Sequence, residues 1–101
     1  MGLLSTLFGT GNDQTKELLD KGAVIIDVRS PGEFSGGHVK GSKNIPLQSI
    51  EGQIMKIKKL NKPVVACCAS GMRSGQATEI LKRAGIEATN GGPWTKVNAL
   101  V

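Results

Sequence analysis

Cys68 begins the run C-A-S-G-M-R, Cys68 to Arg73, directly after the apolar stretch Pro63-Val64-Val65-Ala66-Cys67. A thiol at the end of a buried strand, followed by small residues, a glycine, an arginine and then a helix, is how a chain builds a nucleophile inside an anion cradle. The Ser70-Gly71 pair lets the backbone curl so that several N–H groups point inward as a nest. The helix that follows adds the partial positive charge of its N-terminus. Arg73 offers a permanent cation with forked donors suited to an oxyanion. All of these favour thiolate over thiol. A free cysteine titrates at about 8.5, and helix N-termini and cations bring that to between roughly 3.5 and 7.5. Successive residues of a strand point to opposite faces, so the neighbouring Cys67 is expected to look into a helix-packed layer.

The rest of the chain must hold that loop. Asn12 or Asp13 is expected to cap a short helix carrying Leu18 and Leu19, ended by Gly22. Ala23 to Val28 is a continuous apolar run closing on Asp27 and Arg29, as suits a strand buried on both faces in a parallel sheet. Ser30 to Phe34 reads as a turn into a brief helical segment with Pro31 at its first position, where a missing N–H costs nothing. Asn44-Ile45-Pro46 is expected as a short strand, and Ile50, Ile54 and Ile57 as one helical stripe reaching Leu60.

Pro63 to Cys67 is the second strong strand. Ala77, Ile80, Leu81 and Ala84 mark the clearest amphipathic helix, with Lys82 and Arg83 in its last turn and Gly85 just beyond. Ile86 to Thr89 forms a last short strand before a Gly91-Gly92-Pro93 turn. Strands alternating with helices predict a small α/β sandwich, with a mostly parallel central sheet and helices on both faces. Residues 1–12 read as an N-terminal segment open to flexibility, and 13–101 as a single domain. The site itself belongs beyond the carboxyl ends of the strands, where loops lead into helices.

Composition narrows the classes. The chain of 101 residues is one domain, long enough to remove roughly two thirds of its unfolded surface from water. Aromatic residues are only 3%, with no tyrosine, which argues against a base-stacking surface for single-stranded nucleic acid. The formal charge of +5 is thinly spread apart from Lys56, Lys58, Lys59 and Lys62, which read as a solvated helix face. Two adjacent cysteines are no disulfide framework, so both read as reduced thiols in a reducing compartment, and a cytoplasmic location is expected. Met1 to Phe8 is apolar but too short to span a membrane and lacks a basic flank. Met1-Gly2 with Thr6 matches a loose myristoylation pattern, for which a packing helix or frayed terminus is the simpler account. Cys67, Cys68 and His38 offer no spaced ligand set for a metal. No cofactor is implied, and a chain this size can stand as a monomer.

Two blocks of the chain resemble the single-domain rhodanese family of sulfurtransferases. The first is D-V-R-S-P-G-E-F from Asp27 to Phe34, followed by G-H-V-K-G-S-K-N-I-P from Gly37 to Pro46. The second is C-A-S-G-M-R-S from Cys68 to Ser74, similar to the family's C-x-x-G-x-R-S loop. The likeness runs from about Asp13 to Trp94 and implies a rhodanese-like fold. It also implies that Cys68 attacks the outer sulfur of a small anionic donor such as thiosulfate, becomes a persulfide, and passes the sulfur to cyanide, a thiol or a protein acceptor. In that reading the backbone amides of Ala69, Ser70, Gly71, Met72, Arg73 and Ser74 hold the persulfide. Arg73 binds the donor's anionic end, and Asp27, Arg29 and His38 brace the loop from the first block. His38 is the only histidine, but a thiolate already stabilised needs no base.

The chain departs from the family in carrying Cys67 before the nucleophile, in lacking an obvious N-terminal strand over Ser5 to Asp13, and in the early Trp94 and short tail. Cysteine phosphatases, including the dual-specificity group of the same fold, use C-x5-R. Here the arginine comes one residue sooner, and the fifth residue past the first intervening position is Ser74. The smaller cradle suits a sulfane sulfur better than a tetrahedral phosphate, leaving a phosphatase or arsenate reductase as the weaker alternative. A non-catalytic binding module is the rival from another class; such domains commonly lose the cysteine, which this chain keeps.

Overall fold

A computed structural model describes residues 10–101 of the chain. The apolar start and the myristoylation pattern lie outside the described residues. Helix α1 spans Thr10–Asp20, β1 Val24–Asp27, α2 Pro31–Ser35, β2 Lys43–Asn44, α3 Ile50–Lys59, β3 Val64–Cys68, α4 Met72–Arg83, β4 Ala88–Pro93 and α5 Trp94–Asn98, with a 3-10 turn at Leu47–Ser49 leading into α3. The four strands form one sheet in the order β2-β1-β3-β4, every pair parallel.

All five residues of β3 are buried, as the interior strand of a sheet covered on both faces must be. Its alternation divides the core in two. Val64, Ala66 and Cys68 join Ile26, Val28, Ile50, Ile57, Ala77 and Leu81 in the layer under α3 and α4. Val65 and Cys67 join Leu18, Val39 and Val97 in the layer under α1 and α5. The α3 and α4 stripes follow the expected helical spacing, with Ile50, Ile57, Ala77 and Leu81 at the buried positions.

Three boundaries differ from the sequence expectation. The first helix begins at Thr10, ahead of Asn12 and Asp13, so residues 10–12 are helical. The edge strand is Lys43–Asn44, and Ile45 and Pro46 already lead to the 3-10 turn. The last strand starts later and runs through the glycine pair to Pro93. The reason is a bulge. Ala66 pairs with Asn90 and Cys67 with Gly92, so Gly91 is the extra residue in β4. A Cβ on Gly91 would lie 2.6 Å from Val97 Cγ2 and 2.9 Å from Val65 Cγ1, so only glycine fits between strand and helix. What reads as a turn signal is a strand kink that lets α5 close over the sheet.

Candidate functional site

The site forms where β1, β3 and β4 end on the same edge of the sheet. Cys68 is the last residue of β3 and has no exposed surface. Ala69 and Ser70 are exposed, and Gly71 turns the chain into α4 with φ of 104°, a left-handed geometry that glycine adopts without Cβ strain. That turn aims the Gly71 N–H at Cys68 Sγ, 3.0 Å away. From the first turn of α4, the Ser74 N–H donates at 3.4 Å and the Ser74 hydroxyl lies 3.3 Å from the same sulfur. Burial alone pushes the Cys68 thiol up. The donors from Ser74, Gly71 and Ser70 outweigh it and hold the thiol below its ordinary value. The geometry can therefore hold a sulfur anion.

Asn90 on β4 ties this cradle together, a residue whose place next to the loop comes only from strand pairing. Its Nδ2 donates to the Gly71 carbonyl at 3.0 Å. Its Oδ1 accepts from the Gly92 N–H at 2.9 Å and from the Ser74 hydroxyl at 2.7 Å. Ser74 has a single hydroxyl proton, so at any moment it donates either to Asn90 Oδ1 or to the Cys68 sulfur.

The first block supplies a rigid wall. Asp27 and Arg29 form a buried ion pair, with Nη2 to Oδ2 at 2.7 Å and Nε to Oδ1 at 2.9 Å. Arg29 Nη2 also donates to the Gly37 carbonyl at 2.7 Å, and its guanidinium lies 5.1 Å from the Trp94 ring centroid. Asn44 donates to the carbonyls of both Asp27 and Arg29, at 3.0 and 2.9 Å, pinning the end of β1 to the edge strand. At the end of β1, Asp27 and Arg29 are thus locked to each other and to the Gly37 carbonyl.

His38 does not join them. It is exposed, with Nδ1 2.7 Å from the Phe34 carbonyl and its ring stacked on Phe34 at 3.7 Å between centroids. Its contacts tie the segment after α2 to itself rather than to the Cys68 loop.

Arg73 is engaged where the sequence left it free. Its Nη1 and Nη2 donate to Oε1 and Oε2 of Glu33 at 2.9 and 3.1 Å, a bidentate pair between α4 and α2. The Ser30-x-x-Glu33 spacing is that of a capping box, and Ser30 and Glu33 do cap α2 reciprocally. That spacing signals the cap; only the tertiary fold brings Arg73 to the same carboxylate. Met72, the first residue of α4, is largely exposed.

Cys67 is the counterpart that stays out of the site. It is fully buried among apolar side chains, and both cysteines are free thiols. Burial, with Asp27 alongside, pushes its thiol up to about 12. Two surface depressions lie away from this site. One, lined by Ile57, Lys58, Lys62 and Pro63 among others, is at the amino end of β3; a second lies between α3 and α4. Neither includes a residue of the Cys68 loop. Among the described residues no group of three or more His, Cys, Asp or Glu could hold a metal ion, and no helix is long and apolar enough to cross a membrane.

The sequence profile of the rhodanese-like domain matches residues 11–92, which takes in every element from α1 to the bulge of β4. The chain belongs to the rhodanese-like domain family. Relatives of this rhodanese-like chain include the thiosulfate sulfurtransferase GlpE of Pseudoalteromonas translucida, 37% identical over 73% of this chain and 70% of that protein. The thiosulfate sulfurtransferase PspE of Escherichia coli is 41% identical over 59% of each. YqhL of Bacillus subtilis is 43% identical over 62% of this chain, which spans about half (49%) of that protein's length.

Solved structures agree on the fold. A rhodanese from Escherichia coli determined with anions superposes with a TM-score of 0.67 and 36% identity, over 73% of this chain and 89% of that one. A rhodanese-like domain protein of Staphylococcus aureus gives 0.69 at 30% identity, over 83% and 86%. The four-stranded parallel sheet flanked by helices is the rhodanese fold, and two of these relatives, GlpE and PspE, are named as thiosulfate sulfurtransferases.

Proposed function

We propose that this rhodanese-like chain is a sulfurtransferase that carries a sulfane sulfur on Cys68. The observation that carries the reading is the set of donors on one sulfur: the Gly71 N–H, the Ser74 N–H and the Ser74 hydroxyl, all within 3.4 Å of Cys68 Sγ. Such a cradle favours a thiolate before reaction and an anionic persulfide after it. The Cys68 thiolate attacks the outer sulfur of the donor, thiosulfate or another persulfide. The new S–S bond forms as the donor's own S–S bond breaks, and the electron pair leaves with sulfite or the donor thiolate. An acceptor, cyanide or a thiolate, then attacks the outer sulfur of the Cys68 persulfide. The Cys68–sulfur bond breaks, its electron pair returns to Cys68 as thiolate, and thiocyanate or the acceptor's persulfide leaves. No external oxidant or reductant is needed.

Because Cys68 has no exposed surface, the donor reaches it by displacing the loop over it. Ala69 and Ser70, exposed and followed by the glycine hinge, are the residues free to move aside. The amides of Ala69 to Ser74 then close on the transferred sulfur. Asp27 and Arg29 hold the wall of the site. A rhodanese from Escherichia coli determined with anions has the same fold, and a reducing compartment suits the two free thiols. The short C-x4-R spacing favours sulfur over phosphate.

The test is direct. Incubation with thiosulfate, followed by intact-mass measurement, is expected to show one added sulfur; addition of cyanide should remove it and release thiocyanate. If Cys68→Ser still gains sulfur and turns over, the assignment is wrong.

A further inference from the structure

Both guanidiniums of the site already carry a carboxylate from the same short segment. Arg29 is paired with Asp27 inside the protein, and Arg73 with Glu33 at its surface. The Glu33 carboxylate is not a loose surface group. Oε1 accepts from the Ser30 N–H at 3.1 Å, the Ser30 hydroxyl at 3.0 Å and Arg73 Nη1 at 2.9 Å, while Oε2 accepts from Arg73 Nη2 at 3.1 Å. The cap of α2 therefore fixes the carboxylate where it meets Arg73, with little side-chain entropy left to lose. Arg73 holds the Glu33 acid down at about 2, with Ser30 assisting, so the pair is charged on both sides at any working pH. Backbone and hydroxyl donors around Cys68 remain the electropositive part of the site, and they are aimed at the sulfur rather than at a second anionic group.

We infer that Glu33 is the resident counter-ion of Arg73 and sets the charge selectivity of the site. It disfavours a free dianion such as thiosulfate relative to a sulfane sulfur presented with at most one negative charge, as on a persulfidated cysteine of a peptide or protein. This inference rests on the sulfurtransferase reading above. A dianion that seeks Arg73 must dislodge Glu33 or bind beside its charge, whereas a persulfide needs only the sulfur cradle. The pair is about two-fifths exposed on each side, 38% and 39%, so a donor can reach it.

Glu33→Gln removes the charge and keeps an oxygen for the Ser30 cap. The KM for thiosulfate is expected to fall about fivefold, the scale of one half-exposed charge pair. The ratio of kcat/KM for thiosulfate to that for the persulfide of an uncharged cysteine peptide should rise by a similar factor. In an Arg73→Ala background the same substitution should change the thiosulfate KM less than about twofold, because the counter-ion has nothing left to neutralise. An unchanged KM in folded Glu33→Gln, judged by its melting temperature, overturns the inference, as does an equal fall in the Arg73→Ala background. Thiosulfate titrated into Cys68→Ser protein, followed by NMR shifts, reads binding without turnover. Tighter binding with Glu33→Gln there, beside a parent that forms no thiocyanate from either thiosulfate or the peptide persulfide, would keep the role of Glu33 and sink the sulfurtransferase reading alone.

Discussion

On one face of β3, Cys67 sits among Leu18, Val39, Val65 and Val97 with Asp27 alongside; one residue further on, at the other face, Cys68 receives hydrogen bonds from Gly71 and Ser74. Both thiols are fully buried. Burial raises each, yet Cys67 is pushed up to about 12 while Cys68 ends below its ordinary value. Part of the difference is depth, since Cys67 lies deeper in the protein and its desolvation dominates; the rest is the set of donors that surrounds the Cys68 sulfur. A thiolate can be held without solvent only where donors point at it, and those donors exist on one side of the strand end.

The comparison breaks most visibly by exchanging the two thiols' fates. Cys68→Ser is expected to lose all detectable sulfur uptake by intact mass, while Cys67→Ala retains most of it. Loss of uptake in folded Cys67→Ala would show that the inner thiol takes part. Next in size is the charge beside Cys67. Asp27→Ala leaves Arg29 buried without its partner, and chemical denaturation should register a loss of about 3–5 kcal/mol; a change under about 1 kcal/mol would mean the pair is incidental.

The pH dependence of stability should differ in sign between the thiols. Cys67 is protonated in both states below the ordinary thiol range, and its raised folded pKa means the unfolded chain loses its proton first. Its contribution is therefore complete below about 9 and is lost as pH climbs towards 12, at no more than about 1.4 kcal/mol per pH unit. Cys68, with a lowered folded pKa, contributes stability above the ordinary thiol value and loses it as pH falls through the folded one. Denaturation midpoints from neutral to strongly alkaline pH should decline less for Cys67→Ala than for the parent. A parallel decline in both would refute the assignment. The smallest effect sharpens the Cys68 side. Ser74→Ala removes one donor, so alkylation of Cys68 by iodoacetamide at neutral pH should slow several-fold and its rate profile shift to higher pH. An unshifted profile would leave the amides alone as the stabilising group.

Much of this was legible along the chain. The apolar runs of β1 and β3 and the isoleucine and alanine–leucine stripes of α3 and α4 stand where periodicity puts them. Strand alternation alone separated Cys67 from Cys68. Other features were hidden because they depend on which segments become neighbours. Gly91-Gly92 reads as a turn until the register with β3 makes Gly91 a bulge under Val97. Asn90 has no motif of its own; β4 lying beside β3 puts it against Gly71 and Ser74. His38 looked like a brace and instead stacks on Phe34, four residues back, a contact that competes at short range with any reach toward the loop.

By itself the sequence determined the local chemistry: a thiol at a strand end, a glycine that can take a positive φ, and amides at the start of a helix. These follow from residue types a few positions apart, whose interactions the backbone geometry enforces in any fold that forms them. Only the tertiary structure decided the charge of the site. Glu33 and Arg73 are forty residues apart in the chain, and whether the arginine is a free anion receptor or half of an ion pair depends on α2 packing beside the start of α4. Coulombic pairing acts through space, so the sheet order that joins β1 to β3 sets it.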